Sequence, residues 1–137
     1  MKTLVSSYDA ALFDLDGVVY LGPNAIDGVT SALARLREIG TRLGFVTNNA
    51  ARTPAAVAEH LRELGIRADD SDVVNSTQAM VRMLHKELPA GAKLLVVGTD
   101  ALVSQLAEGG FVPVSTLEEN PVAVVQGYHP QLPWSLL

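Results

Sequence analysis

The chain has 137 residues, 48% of them hydrophobic and only 5% aromatic, so Val, Leu and Ala must fill whatever core it builds. A formal charge of −5 and a pI near 5.0 argue against nonspecific binding to nucleic acid or to an anionic membrane. There is no cysteine, which excludes disulfides and thiolate metal sites.

The first residues lack the uninterrupted apolar stretch of a signal peptide, and no run approaches membrane-spanning length, so the cytoplasm is the expected compartment. The apolar run Ala10–Phe13 reads as a buried parallel strand. Two carboxylates follow it, Asp14 and Asp16, and Gly17 then lets the backbone turn. Side chains two apart on a strand share a face, so the acids stand together with Leu15 turned away. Two negative charges that close repel, and a cation or a shared proton is their natural companion. The end of a parallel strand is also where open α/β sheets hold ligands. Taken alone, Asp-x-Asp-Gly is equally a solvated turn. A calcium loop fits poorly, because Val18 and Val19 occupy the positions that need an oxygen ligand and a glycine.

Residues 18 to 23 read as a short hairpin-like excursion. Asp27-Gly28 opens a helix in which Val29, Leu33, Leu36 and Ile39 recur at helical spacing, and Gly40 stops it. Residues 41 to 46 form a second strand, ending at Thr47-Asn48-Asn49. A hydroxyl and two amides at such a strand end can orient an anion. Arg52, just past them, is within chain reach of the same anion. Thr53-Pro54 starts a helix with the buried stripe Val57, Leu61 and Leu64, closed by Gly65. His60 has no second ligand at metal spacing and reads as a surface residue. After an acidic loop, Val73-Val74 forms a short strand. Ser76 or Thr77 then caps a helix carrying Met80, Val81, Leu84 and Leu88, with Met83 also as packing.

A second strand-helix rhythm begins at Lys93. A strand over 94–97 leads through Gly98-Thr99-Asp100 to a helix over 101–108, then a short strand near 111–114 and another over 122–125. Gly98-Thr99-Asp100 has neither the Gly-Lys-Ser/Thr of a P-loop nor a dinucleotide fingerprint. Residues 133–137 read as the first turn of a helix.

Phe13-Asp14-Leu15-Asp16-Gly17-Val18 resembles the first motif of the haloacid dehalogenase superfamily, a hydrophobic strand ending in D-x-D-G-[TV]. Phe45-Val46-Thr47-Asn48-Asn49 is similar to the second motif of its NagD-like, p-nitrophenyl phosphate, phosphoglycolate and glycerol-phosphate phosphatase subgroup. Val96-Val97-Gly98 and Ala123-Val124-Val125-Gln126-Gly127-Tyr128-His129 look like features of that subgroup's cap domain, with His129 where relatives often have Asp. The resemblance implies an α/β fold: the first part of a parallel-sheet, Rossmann-like core over residues 1–78, and part of an inserted α/β cap over 79–137. It implies Mg²⁺-dependent hydrolysis of a small phosphorylated metabolite. Asp14 would be the nucleophile and Asp16 the acid and base. Thr47, Asn48, Asn49 and backbone N–H groups near Gly17 would bind the phosphoryl oxygens. The metal would sit on the Asp14 carboxylate, the Asp16 carbonyl and one acid of a later motif.

The family's lysine and later acidic pair have no counterpart here, so the expectation is the N-terminal part of a protein about twice this length, inactive alone. The resemblance leaves room for a homodimer through the cap, and offers no role for nucleic acid or membrane. Two other readings stand beside it. One is a fragment that binds phosphate or a partner without turnover; the other is a phosphotransferase or mutase relative.

Overall fold

The computed structural model describes residues 4–129 and 131. Contacts group the chain into two units. One takes the described residues up to Thr47 together with Pro54–Val74; the other takes Asn48–Thr53 and the described residues from Asn75 onward.

The first unit begins with a single 3₁₀ turn, Leu4–Ser7, and strand β1, Ala10–Asp14. Strands β2 (Tyr20–Leu21) and β3 (Asn24–Ala25) form the expected small antiparallel hairpin. Helix α1 (Val29–Glu38) returns the chain to β4 (Arg42–Thr47), which runs parallel to β1 with Phe13 opposite Phe45 and Asp14 opposite Val46. A parallel pair needs such a crossover, and the α1 stretch supplies it. Helix α2 spans Pro54–Glu63, with proline at the first position, where its missing N–H costs nothing. Strand β5 (Val73–Asn75) completes the order β1-β4-β5.

Alternation decides the core. Leu43, Phe45 and Thr47 of β4 point inward and are buried, while Arg42 and Val46 point out. Leu15, Val19, Leu33, Val57 and Leu61 join Phe45 around one apolar centre. Each such side chain contributes about 1.5–3 kcal/mol on burial.

Strand β1 departs from the expectation of burial on both faces. Ala11 and Phe13 pack on the core, but Leu12 is 74% exposed. Among the described residues β4 is the only strand beside β1, and nothing covers the face that carries Leu12. Ile39, expected on the buried stripe, instead caps α1 and is exposed. His60 is not a surface residue: its ring packs edge-on against buried Tyr20 at 5.0 Å, and its Nδ1 meets Glu63 Oε2 at 3.4 Å. An imidazole has an apolar body, and the helix turns it inward beside Val57 and Leu61.

The second unit has helix α3 (Ser76–Glu87), strand β6 (Lys93–Val97), helix α4 (Asp100–Glu108), β7 (Val112–Val114) and β8 (Ala123–Gln126). Its sheet is parallel throughout, in the order β7-β6-β8. Leu94, Leu102, Leu106, Phe111 and Val125 form its core, with Met80, Val81, Leu84 and Leu88 of α3 packed against them. Met83 is exposed rather than packed.

The cap of α3 is neither Ser76 nor Thr77 but Asn75. Its Oδ1 accepts the Gln78 N–H at 2.9 Å, and Gln78 Oε1 accepts the Asn75 N–H at 3.2 Å. This reciprocal pair satisfies two backbone donors at once, which a serine one residue later would not do. The helix expected over 133–137 lies outside the described residues. The class is α/β with parallel sheets and connecting helices, as expected. No helix among the described residues is long and apolar enough to cross a membrane.

Candidate active site

Strand β1 ends on Asp14, and the chain turns at once. Leu15 is fully buried, while Asp14 and Asp16 on either side of it are exposed. The buried leucine is therefore the pin on which both carboxylates are presented to solvent. Its carbonyl accepts the N–H groups of Val18, Val19 and Tyr20 at 3.2, 2.9 and 3.2 Å, so the turn wraps around a single oxygen. Gly17 holds φ +81°, a left-handed conformation that costs other residues. A Cβ there would meet nothing within 4 Å, so the glycine is required by backbone angle and not by space. The Gly17 N–H donates to the Tyr20 carbonyl at 2.8 Å, and what Gly17 contributes is the turn itself. Val19, buried like Leu15, closes the loop onto the core.

Thr47 lies at the end of β4, one residue beyond the partner of Asp14 in the register, and is buried on the covered face. The first unit thus brings Asp14, Asp16, Gly17 and Thr47 to the carboxyl ends of two adjacent parallel strands, the end at which open α/β sheets bind ligands.

Asn48, Asn49 and Arg52 belong to the second unit. Asn48 and Arg52 are exposed. Asn49 accepts the Ala51 N–H on its Oδ1 at 2.8 Å, which closes a local turn. The segment is fastened from α3: Ser76 Oγ donates to the Asn48 carbonyl at 2.9 Å, and Asn75 Nδ2 donates to the Arg52 carbonyl at 3.0 Å. These two anchoring residues were not legible as site residues. The Asn75-Ser-Thr-Gln78 capping pattern is the available signal, and it sets the cap one or two residues before Ser76 or Thr77 would place it.

The oxygen donors suit a hard cation. Magnesium is commonly held by one or two carboxylates and keeps several waters, and the Asp14 carboxylate with the Asp16 carbonyl would be oxygen donors of that kind. No group of three or more His, Asp or Glu residues that could hold a metal ion occurs among the described residues.

The family model of haloacid dehalogenase-like hydrolases matches residues 11–112. The D-glycerol 3-phosphate phosphatase of Mycobacterium tuberculosis is 42% identical over 135 residues, covering 98% of this chain and 37% of that protein. The human glycerol-3-phosphate phosphatase is 34% identical over 99% of this chain and half of its own length. The crystal structure of the Mycobacterium tuberculosis glycerol phosphate phosphatase in complex with magnesium superimposes with a TM-score of 0.92 at 42% identity, over 99% of this chain and 40% of that one. NagD from E. coli K-12 gives 0.78 at 26% identity, over 93% of this chain and 49% of that one. The chain spans between about a third and a half of the length of these relatives.

Proposed function

Because the chain belongs to the haloacid dehalogenase-like hydrolases, we propose that the protein hydrolyses a small phosphate monoester, glycerol phosphate being the first substrate to test. The observation that carries this reading is the pair of exposed carboxylates, Asp14 and Asp16, set on either side of fully buried Leu15 at the end of a parallel strand.

An Asp14 carboxylate oxygen attacks phosphorus. The bond from phosphorus to the ester oxygen breaks, and Asp16 gives its proton to the departing alkoxide. Asp16, now a carboxylate, takes a proton from the water that attacks the aspartyl-phosphate, which releases phosphate and restores Asp14. Thr47, Asn48 and Asn49 supply donors to the phosphoryl oxygens. Asp14 and the Asp16 carbonyl would hold Mg²⁺, which when bound offsets negative charge on the transferring group.

The test is release of phosphate from glycerol 3-phosphate, with Mg²⁺ present, by a protein that carries this sequence at the length of its relatives. Asp14→Asn is expected to abolish turnover, and Asp16→Asn to slow it by about 10²–10⁴-fold, the usual worth of a positioned acid and base. Full activity in Asp14→Asn would overturn the nucleophile assignment. Phosphate binding without any turnover by the wild type would favour a binding role instead.

A further inference from the structure

We propose that Ser76 and Asn75, at the start of α3, are positioning residues that aim the Asn48-Asn49 segment at a phosphate dianion. This rests on the reading of Asn48 and Asn49 as phosphoryl donors.

Residues 48–52 have no helix or strand bonds to hold them. A loop without such bonds samples many conformations, whereas recognition of a phosphoryl group needs donors fixed in advance. The segment is instead held at both ends by the side chains of Ser76, the first residue of α3, and Asn75, its cap. Ser76 Oγ donates to the Asn48 carbonyl at 2.9 Å, and Asn75 Nδ2 to the Arg52 carbonyl at 3.0 Å. Between them Ala50 packs against the core of the second unit.

The first of these bonds has a directional consequence. In a trans peptide the C=O and the following N–H point in opposite directions. Fixing the Asn48 carbonyl on Ser76 therefore fixes the Asn49 N–H away from it. It also turns a carbonyl oxygen, which would repel an anion, toward α3.

Asn75 is built for rigidity. It is 1% exposed, and both polar atoms of its side chain are engaged. Its backbone N–H and Oδ1 are used in the cap with Gln78. Its Nδ2 donates to Arg52 and also to Gln105 Oε1 at 2.7 Å. Gln105 is itself oriented by donating Nε2 to the Ala101 carbonyl at 3.0 Å. A helix cap alone needs only the Gln78 contacts. The two extra donor bonds tie the cap to the loop and to α4.

The experiment is amide NMR of the full chain, alone and titrated with inorganic phosphate in Mg²⁺, for wild type, Ser76→Ala, Ser76→Thr and Asn75→Asp. In Ser76→Ala the Asn49 amide is expected to shift and exchange faster while α3 amides stay protected. Phosphate affinity should fall roughly 5–10-fold, the worth of one hydrogen bond. Ser76→Thr, which keeps the hydroxyl, should restore both. Asn75→Asp keeps an acceptor for the Gln78 N–H but has no donor for Arg52, and should loosen the Arg52 end with a similar loss of affinity. Wild-type affinity in both Ser76→Ala and Asn75→Asp would overturn this inference alone. A wild-type chain in which phosphate moves neither Asp14 nor Asn48 would refute the phosphatase reading, and this inference with it.

Discussion

Gly98 and Leu102 leave no room for a methyl group between them: a Cβ placed on Gly98 would lie 2.5 Å from Leu102 Cδ2. Leu102 is 1% exposed and is also crowded by Gly127, so it has nowhere to retreat. Gly98→Ala is therefore expected to cost about 1–3 kcal/mol by overpacking. Gly44 is a useful contrast. A Cβ there would lie 2.6 Å from Leu12 Cδ2, but Leu12 is exposed and can swing aside. Gly44→Ala should change stability by no more than about 0.5 kcal/mol. Urea denaturation of the two variants checks the pair.

Leu15 and Asp14 are neighbours with opposite roles. Leu15→Ala empties a fully buried position and should cost about 2–5 kcal/mol. Asp14→Asn alters an exposed side chain and should leave stability within about 0.5 kcal/mol of wild type. Thermal melts read beside turnover separate the pin from the chemistry: the leucine variant loses fold and activity together, the asparagine variant activity alone.

The Gly17 turn makes a different prediction, because space is not the constraint. Gly17→Ala should cost about 1–2 kcal/mol from the left-handed backbone alone. Gly17→Asn should recover part of this, since asparagine tolerates that region. If the two variants are equally destabilised in urea melts, the backbone explanation fails.

Thr77 is fully buried, and its hydroxyl has no hydrogen-bond partner among the described residues. An unmade hydrogen bond in the interior is a cost that an isosteric apolar side chain removes. Thr77→Val is expected to raise stability by about 1 kcal/mol, read as a higher urea midpoint at unchanged slope.

Glu119 responds to pH. The Ser115 N–H donates to its Oε2 at 3.1 Å, the Thr116 N–H and hydroxyl add further donors, and Lys93 is nearby. The Ser115 N–H chiefly, with the Thr116 donors and the Lys93 charge, holds this carboxyl below its usual range. A carboxyl lowered in the folded state keeps its turn closed above the ordinary carboxylate range and loses that support as the pH falls through its lowered value. The Thr116 amide should titrate accordingly. In Glu119→Gln it should sit near the acid position at every pH.

Much of this was legible from the sequence. The Asp14-x-Asp16-Gly17 turn, the short hairpin and the α1 stretch are set by contacts between near neighbours, and the strand ending at Thr47 by its apolar run. Hydrophobic period, turn glycines and an N1 proline record such contacts directly. The tertiary structure decided what depends on partners far along the chain. Asn75 caps α3 because its side chain also finds Gln105 and the Arg52 carbonyl, 30 and 23 residues away. His60 is drawn inward because Tyr20 offers it a face. Leu12 is exposed because no described element packs over the face of β1 that carries it. Residues 48–53 group with the second unit although they follow β4 directly, because Ser76 and Asn75 hold their carbonyls. A local pattern states which side chains a segment has to bury or bond; which distant group receives them is fixed only when the chain closes on itself.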